Sequence, residues 1–564
     1  MGIVGTNISL DPATWDAAEL ADFGARACDG PKPTSKGRRW AVAAEHPYAS
    51  LTGQRVLEAG GSAADAYVAV AAVLHVVMPG TTTLGGVFGG IYFNAATSEP
   101  IAINAGLSLP LAETTLGSAE DPWVHLDMKG TGRAVLVPGV IRGLEDLHCR
   151  FGKLTWADLW LPAIHFARHG FPMYELYWKN LDRRKDVLLS REGGRAAYLP
   201  TGELPPREGQ YRQVLLAETL EQIAAQGADY CYSGDWAKQL VEAVQDAGGR
   251  MTMEDLSRHA TRWDTPVSAN YLGHELFTSP PPHFGGVSTL VGLQVLEELG
   301  THLQPPPWQS AESLLTHIQV FKATMMIPAA MVDLRRANPE QRTAFAEALS
   351  PTYAKGIADY IRATKVLPAL GTPGSHSHNI VIVDGEGSIM TSTFTIHSDS
   401  WGDSGIVIGG ISLNSSAMQV ATVQVPGGER IFEPLSAYIA FKDGKPVLAS
   451  TVIGSGLMGC QLQNTENVLG RAMSLQDSCA APRYGFYELN LAELTMTDKI
   501  QVEPFEVELL DAVEQAGQPL LRMSFRWEGH AHADVGYWAA IGISADGEYE
   551  AVVDPRLPGL SLAG

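Results

Sequence analysis

A serine hydroxyl at the start of a predicted strand is the clearest candidate for chemistry in this sequence. Ser377 precedes the β-branched run Ile380–Val383 and follows a segment rich in Gly, Pro and Ser, which is typical of an exposed loop. A hydroxyl is a weak nucleophile at neutral pH and needs an adjacent base. Ser375, two residues earlier, is a competing candidate, and either serine could be an ordinary loop residue. The interpretation of Ser377 as a nucleophile therefore depends on the residues around it.

A predicted β-hairpin brings two further polar side chains to Ser377. The letters DGEG at 384–387 predict a tight turn, and residues 388–396 form a second strand rich in Thr and Ile. If the turn is centred on its third residue, Ser377 lies opposite Thr395. His397 is then a diagonal neighbour on the same face, at roughly 7 to 8 Å. The expected arrangement is a strand-end hydroxyl flanked by two polar groups.

The elements that position this hairpin favour one interleaved domain. The first half of the chain alternates helical patterns, such as the buried helix at Ala63–Val77, with Gly/Pro turns, and strand patterns follow the loop before residue 377. The 564 residues contain no repeat with a period of about 20 to 50 residues and no long low-complexity linker. A string of independent domains is therefore not expected.

Composition argues against several classes of function. Lys and Arg number 40 against 62 Asp and Glu, a net charge of −22, so neither nucleic acid nor an anionic membrane is an expected partner. The five cysteines are scattered, and no cofactor or metal is predicted. The glycine-rich stretch at 85–90 lacks the Lys of a phosphate loop, and close backbone packing explains it better. With no secretory signal and no apolar run long enough for a bilayer, a cytoplasmic location is expected.

Ordered blocks along nearly the whole chain resemble the gamma-glutamyltranspeptidase family of N-terminal-nucleophile hydrolases. They include residues 49–90, 133–173 and 230–256, LFTSPPPHFGGVS at 276–288, NIVIVDGEGSIMTSTFT at 379–395, FKDGKPVLASTVIGSG at 441–456, and residues 546–559. The resemblance implies an α+β fold, a four-layer αββα sandwich, made from a precursor that cuts itself. Residues 1–376 would form the large segment and 377–564 the small one, together a single interleaved domain.

The resemblance also assigns the catalytic residues. The family nucleophile is a Thr seven residues before the Asp that opens the hairpin turn, and here that position is Ser377, whose primary hydroxyl can perform the same chemistry. Cleavage between His376 and Ser377 would free an α-amine, with an ordinary pKa of about 7.7 to 8.0, to act as the base. Thr395 would hydrogen-bond the nucleophile, in agreement with the hairpin register. Gly454 and Ser455 align with the glycine pair whose N–H groups form the oxyanion site.

The substrate-binding positions depart from the family. Gly106 replaces the Arg that holds the substrate α-carboxylate, Glu433–Pro434 replaces a Ser-Ser pair, Met418–Gln419 replaces the acids that hold the α-amine, and His397 replaces an Asn. Because the charged anchors for an amino-acid head group are missing, a γ-glutamyl donor is not expected. The resemblance then implies an acyl-enzyme on Ser377 formed from an amide of a different, specialised small molecule.

Four side chains are candidates for contact with that substrate: His397, Trp401, Arg133 and Glu433. His397 could instead be an auxiliary acid or base or a plain strand-end residue, and a structural ion pair is favoured for Arg133. His376 and His378 flank the nucleophile on the opposite face of the strand. They could form a metal pair, but solvated loop histidines are the favoured interpretation.

Two alternatives to amide hydrolysis stay open. A hydrolase of the same fold that cleaves a C–C bond, as some relatives are thought to do in alkylproline biosynthesis, would use the same nucleophile and differ in its products. A non-catalytic homologue would remain uncut and act in binding. For the enzyme, the expected partners are a small-molecule substrate and, after cleavage, the other segment of the same precursor in a heterodimer that could assemble further.

Overall fold

The computed structural model describes residues 8–113, 130–325, 348–364, 366–367, 377–416, 425–490, 495–523 and 535–564. Its helices are α1 (Ala17–Ala25), α2 (Pro47–Glu58), α3 (Ala63–Val77), α4 (Val140–Phe151), α5 (Trp156–His169), α6 (Glu175–Arg183), α7 (Lys185–Leu189), α8 (Glu192–Tyr198), α9 (Val214–Gln226), α10 (Asp229–Tyr232), α11 (Asp235–Asp246), α12 (Met253–Ser257), α13 (Gly285–Leu299), α14 (Ala311–Thr324), α15 (Pro351–Ala363), α16 (Leu457–Thr465), α17 (Leu475–Ala480) and α18 (Val507–Gln515). Its strands are β1 (Ser35–Gly37), β2 (Ala41–Ala44), β3 (Val87–Asn94), β4 (Glu99–Ala105), β5 (Phe171–Pro172), β6 (Gln210–Tyr211), β7 (Arg262–Asp264), β8 (Val267–Tyr271), β9 (His274–Thr278), β10 (Ser377–Val383), β11 (Ile389–Thr395), β12 (Val407–Ile408), β13 (Ile411–Ser412), β14 (Tyr438–Lys442), β15 (Lys445–Ile453), β16 (Tyr484–Asn490), β17 (Thr495–Val502), β18 (Leu520–Arg522), β19 (Tyr537–Ile543), β20 (Tyr549–Val553) and β21 (Leu560–Ala563).

Two antiparallel sheets form the centre of this described part of the chain. The strand order is β21-β2-β10-β11-β3-β4-β7 in the first sheet and β1-β20-β19-β15-β14-β9-β8 in the second. Strands from before and after residue 377 are interleaved in both sheets. Neither part of the chain therefore completes a sheet alone, although the division at residue 377 itself stays a prediction.

The two sheets pack face to face because alternate residues of each strand are apolar on the inner side. Val381 on β10 and Ile389 on β11 join a cluster with Ile541 of the second sheet. Their neighbours Ile380 and Phe394 point to the other side, where they pack into the helical core. The hairpin is thus buried on both faces.

Helices cover the outer face of each sheet. α3 packs on β10 and β11, and every residue of α3 is buried, which confirms the predicted buried helix. On the opposite side of the molecule, α13 packs on β8, and α16 packs on β15 and β19. The order of layers is helix, sheet, sheet, helix, as the family resemblance implied. Within the part of the chain that the structure describes, no helix has the length and apolar character needed to cross a membrane.

The part of the chain after residue 377 contains helices as well as the expected strands. α16 was not predicted because its polar residues are buried instead of exposed. Gln461 donates to Ser450 Oγ at 3.2 Å, and Gln463 donates to the carbonyl of Pro482 at 2.7 Å. A helix with hydrogen-bonded polar groups on its buried faces lacks the amphipathic pattern on which sequence-based prediction depends.

Candidate active site

Ser377 is the first residue of β10, and its register partner on β11 is Thr395. The predicted hairpin register is confirmed. Ser377 is 7% exposed and lies, with the other odd-numbered residues of β10, on the face between the two sheets. The residues before it, among them His376 and Ser375, lie outside the described residues, so cleavage at this bond stays a prediction.

Thr395 shapes the end of β11. Its Oγ1 accepts a hydrogen bond from the backbone N–H of His397 at 2.8 Å. His397 has φ 62°, a left-handed conformation that is unfavourable for a residue other than glycine. The imidazole is buried, with Nδ1 3.2 Å from Ser416 Oγ. Thr395 therefore supports the backbone that places the His397 side chain inside the protein.

The predicted oxyanion residues form the connection between β15 and α16. Gly454 and Ser455 follow Ile453, the last residue of β15, and come just before the helix. Both are partly exposed, whereas the strand before them is buried at that end. Gly454 has φ 84°, a conformation that glycine adopts readily. The connection thus presents backbone amides beside the positive end of a helix dipole.

One hydrogen bond ties the strand of Ser377 to this connection. Asn379, two residues after Ser377 on the same face, donates from Nδ2 to the carbonyl of Tyr537 at 3.0 Å. Tyr537 is the register partner of Ile453, and a Cβ on Gly454 would lie 3.3 Å from the Tyr537 ring. The start of β10 and the end of β15 therefore meet at one edge of the sandwich.

A buried pair of side chains, His283 and Glu433, lies on the same side of the first sheet. Nε2 of His283 donates to Oε2 of Glu433 at 3.1 Å, and the N–H of Leu107 donates to Oε1 at 3.0 Å. Burial by itself raises the pKa of Glu433, but the hydrogen bond from His283, the charges of His283 and His397, and the Leu107 N–H together hold it below its ordinary value. Glu433 is ionised at neutral pH and already engaged by His283 and Leu107, and a substrate contact for it stays a prediction.

Glycines make room for this pair, as the close-packing interpretation of residues 85–90 requires. A Cβ on Gly89 would lie 2.2 Å from Cε1 of His283, so the imidazole lies directly over the glycine. Gly89 pairs with Thr393, two residues before Thr395. At Gly86, an added Cβ would lie 2.2 Å from the carbonyl oxygen of Thr395. The glycines let β3 approach the hairpin formed by β10 and β11 and the side chains around it.

Gly106, which stands where the family has an arginine, has no space for a side chain. A Cβ there would lie 2.6 Å from Oδ1 of Asn104 and 2.9 Å from Oε2 of Glu433. An arginine at this position would require both neighbours to move. Met418–Gln419, the other departure from the family, lies outside the described residues.

Arg430 is a charged neighbour that the sequence analysis missed. Its Nη groups donate to Ser108 Oγ, to His259 and to the carbonyl of Ala260. Burial, and then the charge of Arg262, lowers the pKa of Arg430 to about 10, so it remains charged at neutral pH. Because its Nη groups are engaged, Arg430 holds together the loops that contain these partners. Nothing near it in the sequence indicates these distant partners.

Arg133 makes the ion pair that we favoured for it. Its Nη2 lies 3.1 Å from Oε2 of Glu113, a buried carboxylate. The carbonyl of the next residue, Ala134, accepts from the N–H of Ser416 at 2.8 Å, and Ser416 contacts His397. Arg133 is therefore near the site, and a substrate contact for it stays a prediction.

Trp401 and His378 are both fully buried. The Trp401 ring centroid lies 6.0 Å from that of Tyr177 and 5.7 Å from that of Tyr198, which are contacts of a core side chain, and a role in substrate binding stays a prediction.

His378 has Nδ1 3.0 Å from Thr82 Oγ1. The interpretation of His378 as a solvated loop histidine was wrong, because β10 already includes this residue and its side chain points to the helical layer.

The four-layer arrangement, with two antiparallel sheets between layers of helices, is the fold of the N-terminal-nucleophile hydrolases. A family model described as gamma-glutamyltranspeptidase matches residues 49–563. The chain belongs to the gamma-glutamyltranspeptidase family, and it is a hydrolase of that family.

Individual relatives extend over most of the chain. It is 29% identical over 500 residues to the glutathione hydrolase proenzyme of Bacillus subtilis (strain 168). The aligned region covers 80% of this chain and 81% of that relative. The chain is 26% identical over 493 residues to the acylase ACY 1 proenzyme of Pseudomonas sp. (strain V22), covering 82% and 84%. The solved structure of cephalosporin acylase from Bacillus halodurans matches with a TM-score of 0.78 at 22% identity and covers 94% of this chain and 97% of that one.

Proposed function

We propose that the chain cuts itself between His376 and Ser377 and then hydrolyses an amide of a small molecule through an acyl-enzyme on Ser377. The observation that carries this proposal is the place of Ser377, at the first position of β10, opposite Thr395 and at the edge where β15 ends. Both curated relatives above are named proenzymes, which supports a cleaved precursor.

Cleavage would place an amine and a hydroxyl on one residue. An α-amine titrates at about 7.7 to 8.0, so near neutral pH it accepts the hydroxyl proton as Oγ of Ser377 attacks the amide carbonyl. The N–H groups of Gly454 and Ser455 would stabilise the negative carbonyl oxygen at the N-terminus of α16. The protonated amine then gives its proton to the leaving nitrogen, and water releases the acyl group by the same route.

In this proposal the acyl group is not γ-glutamyl. Gly106 offers no cation for an α-carboxylate, and the ionised side chain of Glu433 lies beside it. A substrate carboxylate placed there would be repelled by a buried negative charge in surroundings of low dielectric constant. One relative is named an acylase, which supports an acyl group other than γ-glutamyl.

Intact mass measurement tests the proposal. Wild-type protein is expected as two fragments, 1–376 and 377–564, with Ser377 at the N-terminus of the second, whereas Ser377→Ala stays a single chain. Ser375→Ala is the matched control and is expected to be cut. Incubation with amide substrates should add an acyl mass to fragment 377–564. An active preparation with an unbroken backbone at Ser377 would overturn the mechanism, because the hydroxyl would have no amine beside it.

A further inference from the structure

Several buried polar atoms of the site lack a partner. Nδ1 of His283, Nε2 of His397 and Nδ2 of Asn104 have no hydrogen-bond partner among the residues that the structure describes. None of these side chains is more than 3% exposed. A buried polar atom without a partner costs free energy unless water or a ligand satisfies it. Three such atoms beside a nucleophile indicate a polar binding pocket.

The three side chains are neighbours. Asn104 is the register partner of Gly89, the glycine that lies under the His283 ring. Burial lowers the pKa of His397, while the charge of Glu433 raises it and that of His283 lowers it, so these groups lie within electrostatic reach of one another. We call His283, His397 and Asn104 the polar pocket.

The polar pocket lies beside Ser377 at the distance of an acyl chain. Gly89 is two strands away from Ser377, through β11, and two residues along the strand direction. With strands about 4.8 Å apart and a rise of about 3.4 Å per residue, the two Cα atoms are separated by roughly 12 Å. The bonds from the Ser377 Cα to the acyl carbon and one hydrogen bond to His283 take about half of this distance, so about four bonds of an extended acyl chain span the rest.

The polar pocket offers hydrogen bonds without a free charge. Nε2–H of His283 is donated to Glu433, so Nδ1 is the ring nitrogen that remains for a substrate group. The lowered pKa keeps His397 uncharged at neutral pH. Nδ2 of Asn104 is a donor. The ionised carboxylate of Glu433 behind His283 makes the same space unfavourable for an anion.

We propose that the polar pocket binds an uncharged group that both donates and accepts hydrogen bonds, such as a primary carboxamide, about four bonds from the reacting carbonyl. Glu433 is the positioning residue that orients His283. This inference rests on the proposed function of Ser377 and adds the substrate class that its reaction would accept.

Three p-nitroanilides of equal size test this preference. Their acyl groups are 5-amino-5-oxopentanoyl, 5-methylhexanoyl and glutaryl, which end in a carboxamide, an isopropyl group and a carboxylate. Wild-type kcat/KM should be highest for the carboxamide, by about 100-fold over the isopropyl compound, because an apolar end leaves the pocket atoms unpaired.

Variants assign the preference to named side chains. His283→Ala should reduce the carboxamide-to-isopropyl ratio about tenfold or more, mainly through KM, since the contact is remote from the reacting atoms. Glu433→Gln keeps the shape and removes the charge, and it should narrow the ratio between carboxamide and carboxylate. His169→Ala, at the exposed end of α5, is the matched control and should change neither ratio.

The outcomes separate the two proposals. A wild-type enzyme without preference, or an unchanged ratio in His283→Ala, overturns the polar pocket while the hydrolysis itself stands. If wild type hydrolyses none of the three, the failure concerns the proposed function. Calorimetric titration of the same anilides into wild type and His283→Ala then tests the pocket by binding alone. The polar pocket predicts that wild type binds the carboxamide more tightly than the isopropyl compound and that His283→Ala reduces this ratio of Kd values. Equal ratios in the two proteins would overturn it.

Discussion

Thr395 and His397 show how one hydrogen bond at the end of a strand organises the site. The Thr395 hydroxyl holds the N–H of a residue whose left-handed backbone would otherwise be unfavourable. The same hydroxyl lies on the residue opposite Ser377. A single side chain thus connects Ser377, the proposed nucleophile, with the polar pocket.

Thr395→Val removes the Oγ1 acceptor and keeps the size and β-branching of the side chain. We expect the free energy of unfolding to fall by about 1 to 3 kcal/mol, because the buried N–H of His397 loses its partner. Amide hydrolysis should slow about tenfold or more as the site loses its geometry. Chemical denaturation and steady-state kinetics measure the two effects. Thr395→Ser keeps the acceptor and should resemble wild type, and equal losses in both variants would contradict this role.

Gly89 and His283 form a steric pair that a double-mutant cycle can measure. Gly89→Ala places a Cβ 2.2 Å from the imidazole, so the ring must move, and we expect the free energy of unfolding to fall by about 1 to 3 kcal/mol. In the double variant Gly89→Ala/His283→Ala, the space that the imidazole occupied is vacant. The loss of unfolding free energy should therefore be smaller than the sum of the losses in the two single variants. Denaturant unfolding of the four proteins gives the coupling. Additive losses would show that the ring does not lie over the glycine.

At the scale of elements, the hairpin that carries Ser377 and Thr395, with His397 just after it, could be predicted, whereas the buried His283–Glu433 pair could not. The hairpin depends on a tight turn and a period of two, which are local in sequence. His283 and Glu433 are 150 positions apart. The pairing of β9 with β14 and a β-bridge between His283 and Glu433 bring them together, and no local pattern encodes that distance. The same holds for α16, whose buried polar groups find partners on other elements.

α16 is anchored at its far end by a buried carboxylate. Glu466 follows the helix, with Oε2 2.8 Å from Nε2 of His317 on α14 and 3.3 Å from Nη2 of Arg471. Burial raises the pKa of Glu466, but His317, Arg471 and the hydroxyl of Thr301 outweigh it and lower the pKa to about 2. The helix that begins at the proposed oxyanion site is therefore held by charged contacts.

Glu466 should make stability depend on pH. Its folded-state pKa is below the ordinary value of 4.5, so its contribution is present above about pH 4.5 and is lost as the pH falls toward 2. At pH 6 we expect Glu466→Gln to be less stable than wild type by about 3 kcal/mol, and the difference should shrink on acidification below pH 4.5. Denaturant unfolding across this range measures it. A difference that stays constant with pH would contradict the anchoring charge.

For the whole molecule, interleaving of the two segments determines what cleavage can release. In the first sheet, β10 and β11 of residues 377–564 lie between β2 and β3 of residues 1–376, and in the second sheet β14, β15, β19 and β20 lie between β1 and β9. Removal of either segment would break hydrogen bonds along these strands and expose the apolar cluster between the sheets. Cleavage of one peptide bond at an edge leaves all of these contacts in place.

The cut protein should therefore behave as one particle. We expect fragments 1–376 and 377–564 to elute together in size-exclusion chromatography under native conditions, at the volume of the uncut Ser377→Ala variant, and to separate only in denaturant. Because each sheet needs strands from both fragments, unfolding should occur in a single transition that both fragments share. Circular dichroism and fragment-resolved hydrogen exchange measure it. Native elution of fragment 377–564 by itself would contradict the interleaved assembly, since that fragment lacks the strands that pair with β10 and β11 on either side.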